Sequence, residues 1–235
     1  WRLDLGGIER AFAQGHLTLL LCNPHNPVGR AFDREELSAL AELAARYDAT
    51  VISDEIHAPL TYGEFVPYLT CGDAAEQTGV VITSSSKSWN LAGLKAAFLL
   101  TQSASMAAKV AKLPPATHWR TSILGAFSMA TAYSEGVEWL DTTIEVLDDN
   151  RKHLASELTR LLPPVRYEIP EAGYLAWLDI TDLPLTTKQI HEDAKVALVA
   201  GPDMGGAAYE NWARLNFGTS KAIITEGLER IARLL

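Results

Sequence analysis

The stretch 33-DREELSALAELAARYDATVISDEIH-57 decides the fold class, because it holds a helix, a short buried strand and a polar strand end in succession. Asp33 followed three residues later by Glu36 is a capping box, which is typical of a helix N-terminus. Apolar residues then recur at helical spacing, so we predict a helix over residues 33–47. The short segment Thr50-Val51-Ile52-Ser53 that follows predicts the next strand, which ends at Asp54.

Further short apolar runs extend this pattern through the first half of the chain. We predict strands at 17–21, 80–83 and 96–101, separated by segments of helical length. Nearly all-apolar strands of this kind indicate a mainly parallel sheet that is covered on both faces. In such sheets ligands bind beyond the carboxyl ends of the strands. The polar residues at those ends are therefore candidate site residues: Asn23, Asn26, Asp54, His57 and residues 84–87.

The pattern changes after about residue 135. A long helix with one apolar side runs from Ile144 to Leu161 and stops at Pro163-Pro164. The segments that follow predict four short strands and a last amphipathic helix: 165–169, 174–180, 196–199, 213–217 and 223–235. We therefore predict an α/β chain with two domains, a parallel-sheet domain over 1–135 and a smaller α+β domain over 136–235 that includes the long helix as a hinge.

Composition narrows the function classes. A net charge of −9 and a pI near 5.1 argue against a nucleic-acid-binding surface and against binding to anionic membranes. They do not argue against a small anionic ligand, which needs only a local cationic pocket. The two cysteines, Cys22 and Cys71, are too few for a disulfide framework and suit a reducing cytosol. They have no metal-binding spacing, and no apolar run reaches about 18 residues. We expect a cytoplasmic protein without metal, nucleic-acid or membrane partners.

Lys87 directly follows three serines at the end of a predicted strand. One interpretation is a solvated loop lysine without a chemical role, which is the ordinary state of a lysine in such a loop. The other is a nucleophilic lysine, since burial or a nearby cation activates the amine for Schiff-base chemistry. The neighbouring hydroxyls of Ser84 and Ser86, with a second cation at Lys95, make a plausible phosphate cradle.

Four other residues each allow a structural and a functional interpretation. Asp54 is either a strand-terminal turn residue or a carboxylate aimed at a cationic ring nitrogen, and its neighbour Glu55 should face the opposite side of the strand. Asn26 lies in a rigid turn with two Asn-Pro steps and could also donate to a ligand oxygen. Arg214 is either part of a structural ion pair or a carboxylate binder. His57 by itself favours a histidine at the edge of the core.

Four motifs in this order resemble enzymes of fold type I that use pyridoxal 5′-phosphate (PLP), in the class I/II aminotransferase superfamily. They are HNPVG, SDEIH, SSSKSWNLAGLK and ARLNFGTS, and they span almost the whole chain. The sequences CNPHNPVGR, DEIH, SKSWNLAGLK and YLAWLD resemble the branch of cystathionine β-lyase-like C–S lyases. The resemblance implies the PLP-dependent transferase fold, with 1–135 as the remaining part of the large PLP-binding domain.

The resemblance also implies a role for each matching residue. Lys87 is the lysine that holds PLP as a Schiff base and moves the Cα proton. Asp54 keeps the pyridine nitrogen protonated, and Asn26 bonds the 3′ oxygen of the ring. Arg214 binds the substrate α-carboxylate. His57 stands where many aminotransferases carry a tyrosine near that same ring oxygen, which implies a cofactor-binding role, and the change of residue favours the lyase branch.

The remaining implications concern the phosphate, the reaction and the assembly. Ser84, Ser86 and Lys95 match the phosphate-binding set, and the implied reaction is β-elimination of cystathionine or a related cysteine S-conjugate to pyruvate, ammonia and a thiol. An aminotransferase of the same fold is the first alternative, and a regulatory or binding protein on this fold is the second. The resemblance implies a homodimer. It also implies a missing upstream region with a glycine-containing phosphate loop and a ring-stacking aromatic, so we expect the chain by itself to be inactive or weakly active.

Overall fold

The computed structural model describes residues 1–235, which form two compact units. The first unit contains residues 1–24 and 30–142, and the second contains residues 25–29 and 143–235. The strands are β1 (Thr18–Cys22), β2 (Thr50–Asp54), β3 (Gly79–Thr83), β4 (Phe98–Leu100), β5 (Arg166–Tyr167), β6 (Leu175–Asp179), β7 (Val199–Ala200) and β8 (Trp212–Asn216). The α-helices are α1 (Leu5–Ala13), α2 (Arg34–Arg46), α3 (Asp73–Thr78), α4 (Ala104–Val110), α5 (Ala116–Trp119), α6 (Ile123–Glu135), α7 (Val137–Leu161), α8 (Thr187–Asp193), α9 (Pro202–Gly205) and α10 (Lys221–Ala232).

The first unit is built on a four-stranded sheet in the order β1-β2-β3-β4. The first three strands are parallel and β4 is antiparallel to β3, which confirms the predicted, mainly parallel α/β sheet. All four strands predicted in this half are present. β4 is shorter than predicted, because the backbone carbonyl of Ala96 accepts a hydrogen bond from the Ser84 side chain instead of joining the ladder.

The helix predicted at 33–47 is α2, and Asp33 is its N-cap. The Asp33 carboxylate accepts the backbone N–H of Glu36 at 2.9 Å. The reciprocal half of the capping box does not form, because the Glu36 carboxylate binds the Arg30 guanidinium at 2.5 Å, and a charge-assisted bond is the stronger one. The apolar side of α2 packs on the sheet in a core that includes Leu37, Leu40 and Val51.

The second unit is built on an antiparallel sheet in the order β5-β6-β8-β7. The strand predicted at 196–199 begins later, at Val199, because the backbone N–H of Val196 closes the end of α8 by bonding to the Ile190 carbonyl. The long helix α7 begins at Val137, ahead of the predicted apolar stripe. Its buried Asn150 donates to the backbone carbonyls of Phe217 and Thr219 at 3.1 and 2.6 Å, which fixes the chain after β8.

Residues 25–29 pack with the second unit, whereas the sequence-based division had placed them in the first domain. The Gly29 carbonyl accepts the N–H groups of Glu171 and Ala172 at 2.8 and 3.0 Å. Gly29 has a φ of +71°, and a Cβ there would lie 2.3 Å from the Pro170 side chain, so only glycine fits. The domain limits 1–135 and 136–235 stay a prediction. None of the helices combines the length and the apolar character that a membrane span requires.

Candidate active site

The carboxyl ends of β2 and β3 bring two of the candidate segments to one edge of the first sheet. Asp54 is the last residue of β2 and pairs with Ile82 of β3. Ser84 follows β3 directly and begins the loop that carries Lys87. Since the two strands are parallel neighbours, their ends lie at the same edge, as expected from the sequence.

The Asp54 carboxylate is oriented by its own backbone. Its Oδ1 accepts the N–H of Ile56 at 3.1 Å, and the backbone carbonyl of Asp54 accepts the N–H of Asn23 at 2.9 Å. The side chain is half-buried and Oδ2 makes no hydrogen bond within the chain. Asp54 therefore serves as a turn residue through one oxygen and could bind a cationic donor through the other.

Glu55 faces the opposite side of the strand and lies in the core, which confirms the expectation from strand alternation. Only 5% of it is exposed, and its Oε1 accepts the Ser53 hydroxyl at 3.0 Å and the backbone N–H of Tyr68 at 2.9 Å. The net pKa of Glu55 is raised from 4.5 to about 7: burial is the main cause, the two hydrogen bonds oppose it, and the nearby charge of Asp54 adds to it. A buried acid that titrates near neutral pH was not foreseen, since composition and spacing carry no signal for it.

We expect Glu55→Gln to make the protein's stability less dependent on pH. The unfolded chain releases this proton near pH 4.5 and the folded chain holds it to about 7, so the free energy of unfolding falls as the pH rises between these values. The stability of the variant relative to the parent should therefore rise by up to about 3 kcal/mol from pH 4.5 to pH 8. Urea unfolding at several pH values measures this change.

The exposed Glu64→Gln is the matched control for replacing a carboxylate by an amide. The contrary result would be a difference in unfolding free energy between Glu55→Gln and the parent that is the same at pH 4.5 and at pH 8. It would show that the fold does not hold the Glu55 carboxyl in its neutral form.

The loop around Lys87 is held by its own hydrogen bonds. The Ser84 hydroxyl donates to the Ala96 carbonyl at 2.6 Å and accepts the N–H of Ser86 at 3.0 Å. A further turn forms where the N–H of Trp89 bonds to the Ser85 carbonyl at 3.0 Å. Lys87 is half-buried in this ordered loop and has no ion pair or hydrogen bond, so its amine is available for chemistry.

The three residues of the implied phosphate set differ in what they can offer. The hydrogen of the Ser84 hydroxyl is already donated to the Ala96 carbonyl, so in this arrangement the hydroxyl is not a donor for a phosphate oxygen. The half-buried Ser86 hydroxyl makes no hydrogen bond within the chain. Lys95 is exposed, has a φ of +54°, and lies more than 4 Å from any carboxylate. Phosphate binding by this set stays a prediction, with Ser86 and Lys95 as the residues that retain donors.

An aromatic brace, formed by Trp89, Tyr133, Phe98 and the Gly136 carbonyl, supports the Lys87 loop and was missed by the sequence analysis. The indole N–H of Trp89 donates to the Gly136 carbonyl at 2.8 Å, and its ring packs on Tyr133 with centroids 4.8 Å apart. Tyr133 in turn contacts Phe98 of β4 at 5.7 Å. Trp89 and Gly136 are 47 positions apart, and no periodic pattern could have paired them.

The second unit brings Arg214 and Asn26 together. The Arg214 Nη1 donates to the Asn26 Oδ1 at 3.0 Å. Arg214 is half-buried between Trp177 of β6 and Val199 of β7 in the sheet register, and no carboxylate lies within 4 Å of it. The structural ion pair considered for Arg214 is therefore absent. The Asn26 Oδ1 thus already accepts one hydrogen bond, from the Arg214 guanidinium.

His57 and Asn23 occupy buried positions at the strand ends of the first unit. His57 is 6% exposed and precedes a single turn of 3-10 helix at 58–60, so its role near a ring oxygen stays a prediction. Asn23 is fully buried. Its Oδ1 accepts the N–H of Phe32 at 3.1 Å, and its Nδ2 donates to the Val66 carbonyl at 3.4 Å. Its polar atoms therefore serve the fold.

Comparison with known proteins agrees with the motifs. The family model "Aminotransferase class I and II" matches residues 1–231. A cystathionine β-lyase of Corynebacterium glutamicum is 42% identical over 236 residues, which cover 99% of this chain and 63% of the relative. A Corynebacterium diphtheriae structure assigned as a PLP-dependent β-cystathionase has a TM-score of 0.94 at 35% identity, over 98% of this chain and 62% of that one.

The structure of the PLP-bound C–S lyase of Staphylococcus hominis is a more distant match. It has a TM-score of 0.85 at 27% identity, over 98% of this chain and 62% of that chain. The chain thus spans slightly less than two thirds of the length of these relatives.

Proposed function

Because the chain belongs to the class I and II aminotransferase family, we propose that the protein is a PLP-dependent C–S β-lyase. Its substrates would be cystathionine or related cysteine S-conjugates, and its products pyruvate, ammonia and a thiol. One observation carries the proposal. The unpaired Lys87 and a carboxylate with one open oxygen, Asp54, follow adjacent parallel strands at one sheet edge. The 42% identity to a cystathionine β-lyase supports the lyase branch.

The residues of the first unit fit PLP by their chemistry. Lys87 has an uncommitted primary amine, which can bind the cofactor aldehyde covalently. The Oδ2 of Asp54 can accept a hydrogen bond from the N–H of a protonated pyridine ring, and the negative charge of the carboxylate favours that protonated form. Ser86 and Lys95 retain donors suitable for phosphate oxygens. When bound, PLP supplies the electron sink that stabilises negative charge at the substrate Cα.

Each side chain then has a defined task in the elimination. Once the substrate amine has displaced Lys87 from the cofactor, the released Nζ would take the proton from the substrate Cα, and Asp54 would hold the positive charge at the ring nitrogen. The Arg214 guanidinium would bind the substrate α-carboxylate, and the Asn26 amide would donate to the ring oxygen. Fixing the carboxylate orients the Cα–H bond toward the base, which is a contribution of positioning. Loss of the thiolate from Cβ and hydrolysis give pyruvate and ammonia.

The same proposal includes the protein's surroundings. We place it in the cytoplasm as a homodimer that acts on small amino acids. Cys22 and Cys71 form no disulfide, which suits a reducing compartment.

Pyruvate formation without a keto acid tests the proposed reaction. The protein made from its natural reading frame is incubated with PLP and L-cystathionine, with and without α-ketoglutarate, and pyruvate and glutamate are measured. β-Elimination consumes no amino-group acceptor, so we expect equal pyruvate release in both samples and no glutamate. Product that forms only with α-ketoglutarate, together with glutamate, would instead assign the protein to transamination.

A further inference from the structure

We propose that Glu55 is a positioning residue for Asp54, because its buried carboxyl group fixes the backbone on both sides of Asp54 and so aims the open Asp54 oxygen. This inference rests on the proposed function, in which Asp54 binds the cofactor ring nitrogen. Glu55 itself faces away from that nitrogen, in the core on the other side of β2. The three residues joined by its carboxyl group, Ser53, Glu55 and Tyr68, are called the Glu55 clamp.

The first part of the clamp spans Asp54 itself. Ser53 and Glu55 flank Asp54 on the same face of the strand, and the Ser53 hydroxyl donates to the Glu55 Oε1 at 3.0 Å. The backbone of Glu55 is also held, since its N–H donates to the Ile82 carbonyl at 2.9 Å and its carbonyl accepts the Thr83 hydroxyl at 3.2 Å. The peptide groups before and after Asp54 therefore have little freedom.

The second part of the clamp closes a ring of contacts that returns to Asp54. The same Glu55 oxygen accepts the N–H of Tyr68 at 2.9 Å, which holds the segment 66–68. That segment is also held by the Nδ2 of Asn23, which binds the Val66 carbonyl at 3.4 Å. The backbone N–H of Asn23 donates to the Asp54 carbonyl at 2.9 Å. These hydrogen bonds form a closed ring that starts at Glu55, passes through segment 66–68 and Asn23, and returns to the backbone of Asp54.

A packing role by itself does not explain an acid at this position. Glutamine would accept the same two hydrogen bonds without the cost of burying an ionisable group. The titratable groups close enough to interact electrostatically with the Glu55 carboxyl are Asp54, on the other face of its own strand, and the Cys71 thiol, from the turn after Tyr68. Near neutral pH the acid can lose its proton, and the added negative charge one residue from Asp54 would favour a protonated ring nitrogen.

A mutant cycle tests whether Glu55 acts through Asp54. Glu55→Ala, Asp54→Asn and the double variant are made in the holoenzyme, and kcat, KM for cystathionine and the Kd for PLP are measured. We expect Glu55→Ala to lower kcat by about ten- to a hundredfold while KM changes by less than about threefold. In the Asp54→Asn background the same change should cost less than about twofold, since its target is already lost.

Two milder variants keep the test valid if Glu55→Ala does not fold. Ser53→Ala removes one donor of the clamp and should lower kcat by about two- to fivefold, again only when Asp54 is present. Glu55→Gln restores both hydrogen bonds, so we expect it to recover most of the loss in kcat. We expect the parent's kcat to change with pH near pH 7, where Glu55 titrates, and Glu55→Gln should remove that change.

The outcomes separate this inference from the proposed reaction. Additive effects of the Glu55 and Asp54 changes on kcat and on the PLP Kd would overturn the positioning role, even in an active lyase. A Glu55→Gln pH profile identical to that of the parent would overturn the proton linkage. Coupled effects on the PLP Kd in a protein that releases no pyruvate would support the positioning role and reject the lyase reaction.

Discussion

Lys87→Ala is expected to lower kcat for pyruvate release by at least about a thousandfold, because the variant loses both the covalent anchor of the cofactor and the base that moves the Cα proton. The fold should be unaffected, since Lys87 makes no ion pair or hydrogen bond within the chain. Pyruvate release from cystathionine gives the rate, and a thermal melt gives the stability. The visible absorbance of bound PLP should also change, since the covalent link to the protein is gone.

The exposed Lys109→Ala in α4 is the matched control, and it should retain the parent rate. A Lys87→Ala protein that still turns over cystathionine would remove Lys87 from the mechanism. The same variant separates an enzyme from a regulatory protein on this fold, because a role in protein contact would survive the loss of the amine while lyase chemistry would not.

Asp54→Asn is expected to lower kcat by about a hundred- to a thousandfold, which is typical for loss of one preorganised electrostatic contact to developing charge. Asparagine keeps the oxygen that accepts the Ile56 N–H, so the turn after β2 should persist. It cannot supply the negative charge that holds a proton on the ring nitrogen. The measurement is kcat together with the Kd for PLP at fixed pH.

Asp48→Asn is the control for this change. Asp48 is exposed and lies two positions before β2. Its φ is +50°, a conformation that asparagine accepts readily. An Asp54→Asn enzyme with the kcat of the parent would mean that the ring nitrogen needs no carboxylate here, and it would also remove the target on which the Glu55 clamp acts.

Local rules predicted the elements and the strand-end residues, because they depend on nearest neighbours in the chain. Alternation along a strand places Asp54 and Glu55 on opposite faces, and parallel pairing brings Asp54 and the Lys87 loop to one edge. The predicted helix at 33–47 followed from its cap and its period. These features need no knowledge of distant residues.

Features that depend on distant residues could not be read from the sequence. The bond between Arg214 and Asn26 joins positions 188 apart, and an arginine in a strand is equally compatible with an ion pair. The phosphate role of Ser84 stays a prediction, and nothing in the sequence indicated that its hydroxyl donates to the Ala96 carbonyl, twelve positions further on. Sequence patterns give the type of a side chain and its face, while its partner depends on the tertiary structure.

The contact between Trp89 and Gly136 has a consequence for natural variation. A Cβ at position 136 would lie 2.6 Å from the indole nitrogen of Trp89, so every residue except glycine would displace that ring. Trp89 is two positions from Lys87, in a loop that is closed by the hydrogen bond from the Trp89 N–H to the Ser85 carbonyl. Position 136 is thus expected to stay glycine for as long as Trp89 supports this loop.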